Sequence, residues 1–284
     1  MRGFKMKILI YGLGHIGGSL ALGVKKYCKN SYEISYIDKD KKTIGKAKNK
    51  KLTNGDLPGT AFEKFSISSA DIIFICIDPS KIQSVFKKIK NLKTKKNLIV
   101  TDVASTKENV LADAKSIFGK EIAFVGGHPI AGTENSGFDY ADPNLFKGKI
   151  FIQSGSIGLK KNISTVLNIW KKLNSNIVKI KPKEHDKVFS YLSHLPHALS
   201  FCLNKVAVKR LGAKRVKVFG GTSYMDYSRI SSSSENLWSD IFLSNKDNLA
   251  SSIDDSIDFL KNLKLALKKH SQSKISKLIK SRRP

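Results

Sequence analysis

The chain has 284 residues, 40% of them hydrophobic and 26% charged, so it can bury the core of one large or two ordinary domains. Its formal net charge of +28 raises a nucleic-acid hypothesis, but only six of its 51 basic residues are arginine and the lysines are spread along the chain. A nucleic-acid surface more often clusters its charge and uses arginine for bidentate contacts. The composition therefore argues against nucleic-acid binding as the main function.

The cysteines and the N-terminus indicate the compartment. Cys28, Cys76 and Cys202 lie far apart in apolar surroundings and match no zinc or disulfide spacing, which is typical of reduced cysteines in a cytoplasmic protein. The opening residues are too short and polar for a signal peptide. The longest uncharged run, residues 8–24, contains five glycines and a histidine, a composition that suits a nucleotide loop better than a membrane span. We expect a cytoplasmic protein without a membrane partner.

The first predicted strand, residues 7–11, leads into a glycine loop and then into helix-forming sequence. The loop reads Gly12-Leu13-Gly14-His15-Ile16-Gly17. Strand, glycine loop and helix in this order predict a dinucleotide-binding site. Gly12 permits the tight turn, Gly14 lets the backbone approach a pyrophosphate, and Gly17 allows the helix to pack on the strand. The helix N-terminus would supply free N–H groups to the phosphates.

A second predicted strand, residues 33–37, ends at Asp38. An acidic side chain there can accept hydrogen bonds from both adenine-ribose hydroxyls and would repel a 2′-phosphate, which favours NAD over NADP. Lys39, Lys41 and Lys42 weaken this argument because they could neutralise a phosphate. The alternative is that Asp38 is only a turn residue at a strand end.

Five more strands are predicted over residues 71–77, 97–101, 122–125, 149–153 and 176–180. They alternate with helical patterns, which predicts an α/β fold with a doubly wound parallel sheet over about residues 6–181. After Pro182 the strand signals disappear and apolar residues recur at helical spacing. We predict a Rossmann-type NAD-binding domain over residues 1–181. An all-helical domain over residues 182–284 would follow and form the interface of a homodimer.

The segment 127–137 follows the predicted strand 122–125 and contains His128 and Glu134. Three glycines and one proline in this segment exclude a regular helix, so we expect a rigid loop. Loops at strand ends carry catalytic side chains in α/β enzymes, and an imidazole titrates near neutral pH. On residue types alone, a catalytic loop and a glycine-rich turn with a solvated histidine remain equally open.

Two histidines, His194 and His197, lie three residues apart and therefore share one face of a predicted helix. Pro196 between them would kink that helix and free a backbone carbonyl. No third ligand stands at a useful spacing, so we do not expect zinc or another metal. The pair favours a role in a site over a purely structural one.

Arg229 is one of the six arginines in a chain that otherwise uses lysine. Its planar guanidinium suits a carboxylate that must be held in a fixed geometry, and Asp226 three residues earlier could orient it. The alternative is a surface arginine paired with Asp226.

The motifs together resemble those of one family. They are Gly12-Leu13-Gly14-His15-Ile16-Gly17-Gly18-Ser19, Asp102-Val103-Ala104-Ser105-Thr106-Lys107, the segment 127–137, Ser193-His194-Leu195-Pro196-His197 and the segment 226–238. In type and order they resemble the prephenate dehydrogenase family, which includes the arogenate and cyclohexadienyl dehydrogenases of tyrosine biosynthesis. The glycine loop is shared by many dehydrogenases, whereas the segment around His128 and the paired histidines are more specific.

The resemblance implies NAD-dependent oxidative decarboxylation of prephenate to 4-hydroxyphenylpyruvate, with arogenate as the alternative substrate. It implies that His128 takes the proton of the ring 4-hydroxyl, that Ser105 orients this imidazole and that Glu134 guards the site. The predicted site residues are, for catalysis, His128 and Ser105; for the substrate, Arg229, His197, Glu134, Asp226 and Thr133; and for the cofactor, Gly12, Gly14, His15, Ile16, Gly17, Asp38 and Asp102. A basic nucleic-acid-binding protein on a nucleotide-binding fold is the alternative from a different class.

Overall fold

A computed structural model of the protein describes residues 5–28, 31–132 and 135–280. Within these ranges eight strands form one sheet. They are β1 (Met6–Tyr11), β2 (Tyr32–Ile37), β3 (Gly55–Asp56), β4 (Ile72–Ile75), β5 (Ile99–Asp102), β6 (Ala123–Ile130), β7 (Ile150–Ile157) and β8 (Asn176–Lys179). The inner strands are apolar on both faces, as a sheet covered by helices on both sides requires, and all four residues of β4 are buried.

The strand order is β3-β2-β1-β4-β5-β6-β7-β8. The chain first builds outward from β1 to β3 and then returns to place β4 on the other side of β1. The switch point of the sheet therefore lies between β1 and β4, where open α/β sheets bind ligands beyond the carboxyl ends of the strands. The glycine loop follows β1 directly at this edge.

The helices that cover the sheet lie between the strands. They are α1 (His15–Tyr27), α2 (Lys41–Asn49), α3 (Ala61–Ser69), α4 (Pro79–Lys90), α5 (Glu108–Phe118) and α6 (Lys160–Lys172), with one 3-10 turn over Phe138–Tyr140. Each face of the sheet has its own core. On one face Trp170 stacks on Phe151, with ring centroids 4.1 Å apart. On the other, Phe86 packs against Phe118 with centroids 4.8 Å apart.

The predicted doubly wound parallel sheet is confirmed, with the difference that β6 and β7 pair antiparallel. This pairing also extends β6 well beyond the predicted strand 122–125. His128 pairs with Ile152 and Pro129 with Phe151, after a register irregularity between Val125 and Gly127. His128 therefore lies inside a strand, and the expectation of a loop at this residue was wrong. The partner strand β7 supplies hydrogen bonds that the local sequence did not reveal.

After β8 the described chain is helical. Its elements are α7 (Pro182–Phe189), a π-helical turn (Ser190–His194), α8 (Leu195–Leu211), α9 (Ala213–Phe219), α10 (Thr222–Ile230), α11 (Glu235–Ser244), α12 (Lys246–Lys268) and α13 (Gln272–Ile279). Pro196 lies in the first turn of α8, and the π-helical turn leads directly into this helix, so the missing N–H falls where the helical hydrogen-bond pattern changes. In the described part of the chain, no helix is long and apolar enough to cross a membrane.

Candidate active site

The glycine loop fits a bound pyrophosphate. Gly12 has φ of +96°, and a Cβ there would lie 2.4 Å from the carbonyl oxygen of Cys76. A Cβ on Gly17 would lie 2.0 Å from the carbonyl oxygen of Gly12, so the helix–strand contact also requires glycine. Among the described residues, a Cβ on Gly14 would meet no atom within 4 Å beyond its own chain neighbours, which leaves space in front of the N-terminus of α1. A phosphate can approach the backbone there.

Asp38 stands beside this loop at the end of β2. Its Oδ2 accepts a hydrogen bond of 2.6 Å from the N–H of Leu13, and its Oδ1 accepts one of 2.9 Å from the N–H of Asp40. The half-buried carboxylate is thus fixed next to the glycine loop, where a dinucleotide places its adenine ribose. This position suits the predicted cofactor role.

The segment that follows β6 lies against the start of α1. The Nδ1 atom of His15 is 3.3 Å from the carbonyl oxygen of Asn135, and a Cβ on Gly132 would lie 3.8 Å from Cδ1 of Ile16. The chain around His128 is therefore brought next to the dinucleotide loop. Thr133 and Glu134, which the sequence predicts as substrate residues, lie outside the described residues.

His128 is half-buried near the end of β6. Its Nδ1 atom is 2.9 Å from Nε2 of His185. The ring of Phe189 packs against both imidazoles, with centroids 4.8 Å from His128 and 4.5 Å from His185. Burial holds the pKa of His128 well below its usual value, and the Lys107 ammonium lowers it further. The imidazole is therefore neutral and free to accept a proton at neutral pH.

His185 and the adjacent Asp186 form a buried group behind His128. The His185 Nδ1 atom is 2.7 Å from Oδ1 of Asp186. The carboxylate of Asp186 also accepts hydrogen bonds of 2.8 Å from the N–H of Lys107 and 2.9 Å from the N–H of Glu108, at the start of α5. Sequence reasoning missed both residues, because 57 residues separate His185 from His128 and the polar start of α7 looks like any solvated helix end.

Asp102 lies beneath the site and is fully buried. Its Oδ1 accepts from the N–H of Gly127 at 3.1 Å, and its Oδ2 accepts from the N–H of Ala104 at 2.9 Å and from the Lys107 ammonium. Three protein donors thus satisfy this carboxylate. Such a placement argues against direct contact with a cofactor, the role predicted for Asp102 from the sequence, and in favour of a supporting role under β6.

The histidines of the π-helical turn and of α8 share one face, as predicted. His197 stacks on the indole of Trp238 with centroids 3.5 Å apart, and His194 lies edge-on to the same indole at 6.3 Å. The amide nitrogen of Asn245 is 3.0 Å from Nδ1 of His194. Because that amide nitrogen can only donate, His194 carries its proton on Nε2, a buried atom without a partner among the described residues. Burial lowers the pKa of His194 to about 4 and also lowers that of His197.

The other predicted residues lie around this cluster. Asp226 and Arg229 are exposed, one turn apart on α10. Helix α10 packs on α8, since the hydroxyl of Ser200 donates to the carbonyl of Tyr227. Ser105 is half-buried in the connection from β5 to α5. In the described part of the chain, the nitrogen that contacts Nδ1 of His128 comes from His185, and Ser105 makes no hydrogen bond to this imidazole.

Family models match almost the whole chain. The model of the prephenate dehydrogenase nucleotide-binding domain matches residues 20–179, and that of the prephenate dehydrogenase dimerization domain matches residues 181–281. The chain belongs to the prephenate dehydrogenase family. This confirms the resemblance seen in the sequence motifs and the predicted order of a nucleotide-binding part before a helical part.

Individual members of the prephenate dehydrogenase family are similar over most of their length. The prephenate dehydrogenase of Bacillus subtilis is 31% identical over 258 residues, which are 90% of this chain and 68% of that protein. The cyclohexadienyl dehydrogenase of Zymomonas mobilis is 28% identical over 92% of this chain and 88% of its own. A crystal structure of prephenate dehydrogenase from A. aeolicus, in complex with hydroxyphenyl propionate and NAD+, superposes with a TM-score of 0.87 at 29% identity. That comparison covers 96% of this chain and 94% of the other.

Proposed function

We propose that this protein is an NAD-dependent prephenate dehydrogenase, which converts prephenate to 4-hydroxyphenylpyruvate by oxidative decarboxylation. Family membership supports the proposal, and one observation in the structure carries it. A neutral imidazole, that of His128, lies at the end of β6, and the segment that follows it contacts His15 and Ile16 at the start of the dinucleotide-binding helix. Oxidation at a carbon that bears a hydroxyl requires a base beside the dinucleotide site, because the hydroxyl proton must be removed.

The residues that would hold NAD are Gly12, Gly14 and Gly17 of the loop, His15 and Ile16 at the start of α1, and Asp38 at the end of β2. The loop and the helix start would bind the pyrophosphate, and Asp38 the adenine ribose. When bound, NAD supplies the acceptor for the hydride that leaves the substrate ring. The name of the A. aeolicus complex, which contains NAD+, supports the same cofactor here.

His128 would accept the proton of the 4-hydroxyl of the ring. As that proton leaves, the carbon that bears the oxygen can give up hydride, and loss of the ring carboxylate as CO2 makes the ring aromatic. The protein must hold the substrate in a reactive geometry and supply one base, so positioning and acid–base help are sufficient. The role of Ser105 in orienting this imidazole stays a proposal from the family resemblance, since the described contact at Nδ1 of His128 is made by His185.

The substrate would be held from the helical part of the chain. We propose that His197, fixed by its stacking on Trp238, contacts the substrate and that the Arg229 guanidinium binds a carboxylate, with Asp226 beside it on α10. Thr133 and Glu134 keep their proposed substrate roles from the family resemblance alone. Asp102 would support the site indirectly, because its carboxylate accepts the N–H of Gly127, the residue before His128.

The substrate experiment is an assay of NADH or NADPH formation with prephenate and with arogenate, each combined with NAD and with NADP. The proposal predicts the highest kcat/KM for prephenate with NAD. A higher kcat/KM for arogenate would instead make the protein an arogenate dehydrogenase, and similar values a dual-specificity enzyme, as the similarity to a cyclohexadienyl dehydrogenase allows. Activity with neither substrate would overturn the proposal.

The catalytic experiment is His128→Asn. We expect kcat to fall by roughly 100- to 10,000-fold, the usual contribution of a general base, while the affinity for NAD stays nearly unchanged. A variant with more than about a tenth of the normal turnover would exclude His128 as the base.

We further propose a homodimer formed by the helical domain, with the domain boundary at residues 181/182. Large apolar side chains are exposed on these helices, among them Leu192 at 74% and Phe219 at 80%. A groove of about 480 Å³ between α8 and α12 is lined mainly by Leu195, Leu199, Leu203, Tyr227, Phe259 and Leu260. Apolar surface of this extent requires a partner.

The cysteines, free in the described residues, favour the cytoplasm as the compartment.

Sedimentation equilibrium tests the dimer. It should give twice the chain mass of 31.5 kDa. Leu203→Asp in the groove should shift the distribution to monomer, whereas Leu159→Asp, at an even more exposed apolar position in the nucleotide-binding part, should not. A monomeric wild-type protein at micromolar concentration would contradict the proposal.

A further inference from the structure

We infer that His185 and Asp186 are positioning residues that select the tautomer of His128, so that the lone pair of the base lies on Nε2. The inference rests on the proposed function only in naming His128 as the base. The hydrogen-bond chain runs from the start of α5 through Asp186 and His185 to His128. Each link can be assigned a direction from the donors and acceptors that meet there.

The first link is the carboxylate of Asp186. It is 1% exposed and accepts the N–H groups of Lys107 and Glu108, which lie at the N-terminus of α5. Each of its two oxygens therefore already accepts a backbone N–H, Oδ1 from Lys107 and Oδ2 from Glu108. A carboxylate can only accept, so the Nδ1 atom of His185, 2.7 Å away, must carry a hydrogen.

The second link is the ring of His185, which is 0% exposed. Burial lowers its pKa, and the nearby Lys107 ammonium opposes protonation further, although Asp186 acts in the other direction. A neutral imidazole with its hydrogen on Nδ1 has a lone pair on Nε2. His185 is therefore an acceptor toward His128.

The third link is the contact of 2.9 Å between Nε2 of His185 and Nδ1 of His128. Since the His185 atom accepts, the Nδ1 atom of His128 donates. The remaining nitrogen of His128, Nε2, then has the only lone pair of the ring and is the atom that can take a proton from a substrate. With the opposite tautomer Nε2 would carry a hydrogen, and the ring could not act as a base at that atom.

The arrangement is also rigid. Phe189 stacks on His185 and packs against His128. The amide nitrogen of Asn245 donates to the backbone carbonyl of Asp186 at 2.8 Å, which fixes the middle of α7 against the residue that precedes α12. A buried partner that fixes the tautomer and orientation of a catalytic histidine has large effects on turnover in other enzymes.

The direct test does not depend on activity. In the full-length protein labelled with 15N-histidine, long-range 1H–15N correlation spectra distinguish Nδ1–H from Nε2–H imidazoles. We expect both His128 and His185 to be Nδ1–H tautomers at pH 7.5, with signals assigned from the spectra of His128→Asn and His185→Asn. An Nε2–H tautomer at His128 would overturn the inference even in an active enzyme. An Nδ1–H tautomer in a protein that oxidises neither substrate would leave the inference standing and reject the proposed function.

The kinetic test uses His185→Asn. An asparagine amide can reach the place of Nδ1 and keep the hydrogen bond to Asp186, but it cannot reach His128. We expect kcat to fall by roughly 100-fold or more with little change in KM, because binding does not depend on the tautomer. Urea unfolding checks that the variant is folded, and the exposed neighbour substitution Glu184→Gln should leave kcat unchanged. A folded His185→Asn variant with normal kcat would show that the histidine pair only packs the core.

Discussion

The ammonium group of Lys107 is buried against the carboxylate of Asp102 and also donates to the carbonyl oxygen of Gly127 at 2.6 Å. Lys107 is 1% exposed and Asp102 is 0% exposed. Because Gly127 immediately precedes His128, the ion pair ties the connection after β5 to the part of β6 that carries the proposed base. Loss of one partner would leave the other charge buried and uncompensated.

Lys107→Met should therefore destabilise the protein strongly. We expect the free energy of unfolding in urea to fall by about 3–5 kcal/mol, the usual cost of an unpaired buried charge. The double variant with Asp102→Asn should recover part of this loss, since the uncompensated carboxylate is then absent. Lys87→Met on the exposed face of α4 serves as the control and should change the free energy by less than about 0.5 kcal/mol. A loss below about 1 kcal/mol for Lys107→Met would show that the pair contributes little.

Acid should destabilise the protein through its buried histidines. Burial lowers the folded-state pKa values of His128, His185 and His194, the last to about 4, whereas an unfolded histidine titrates near 6.5. Below about pH 6.5 the unfolded chain binds more protons than the folded one, so stability is complete above this pH and is lost as the pH falls. Each histidine should contribute a slope of up to about 1.4 kcal/mol per pH unit.

Urea unfolding at pH 7.5, 6 and 5 measures this slope. His194→Asn removes one of the titrating groups. It should reduce the slope of the free energy of unfolding against pH by up to about 1.4 kcal/mol per pH unit, the contribution of one histidine. A free energy of unfolding that is constant from pH 7.5 to 5 would mean that these imidazoles become protonated without cost in the folded protein.

Arg229→Ala should act mainly on substrate binding. If the guanidinium holds a substrate carboxylate, its removal costs about 1.5–3 kcal/mol, the value of a hydrogen bond to a charged group. We then expect KM for prephenate to rise by roughly 10- to 100-fold, with a smaller change in kcat. Arg210→Ala, at another exposed arginine of the helical part, is the matched control. An unchanged KM in Arg229→Ala would make the assignment wrong.

Asp38→Ser should weaken the preference for NAD. The carboxylate of Asp38 is fixed beside the glycine loop, where it would repel a 2′-phosphate and bind free ribose hydroxyls. We expect the ratio of kcat/KM for NAD to that for NADP to fall by at least about tenfold. Asp40→Asn keeps an equally good cap of α2 and removes a nearby negative charge, so it controls for general electrostatics. If both variants keep the wild-type ratio, another residue sets the cofactor choice.

Features encoded by neighbouring residues could be predicted from the sequence. The glycine loop, the acid after β2 and the alternation of strands and helices each depend on a few adjacent residues, and the structure has the strands near their predicted positions. The short strand β3, only Gly55–Asp56, escaped prediction because a glycine and an aspartate have no strand pattern of their own. Its pairing with β2 creates it.

The sequence by itself thus determined the family, the dinucleotide loop and His128 as the candidate base. Tertiary structure alone decided the surroundings of that base. Antiparallel pairing with β7 extended the strand through His128, and α7 brought His185 within 2.9 Å of it. These contacts join residues that lie far apart in the chain, so no local pattern of residue types could indicate them. Burial then fixed the protonation of the imidazoles, since desolvation depends on what surrounds a side chain in space.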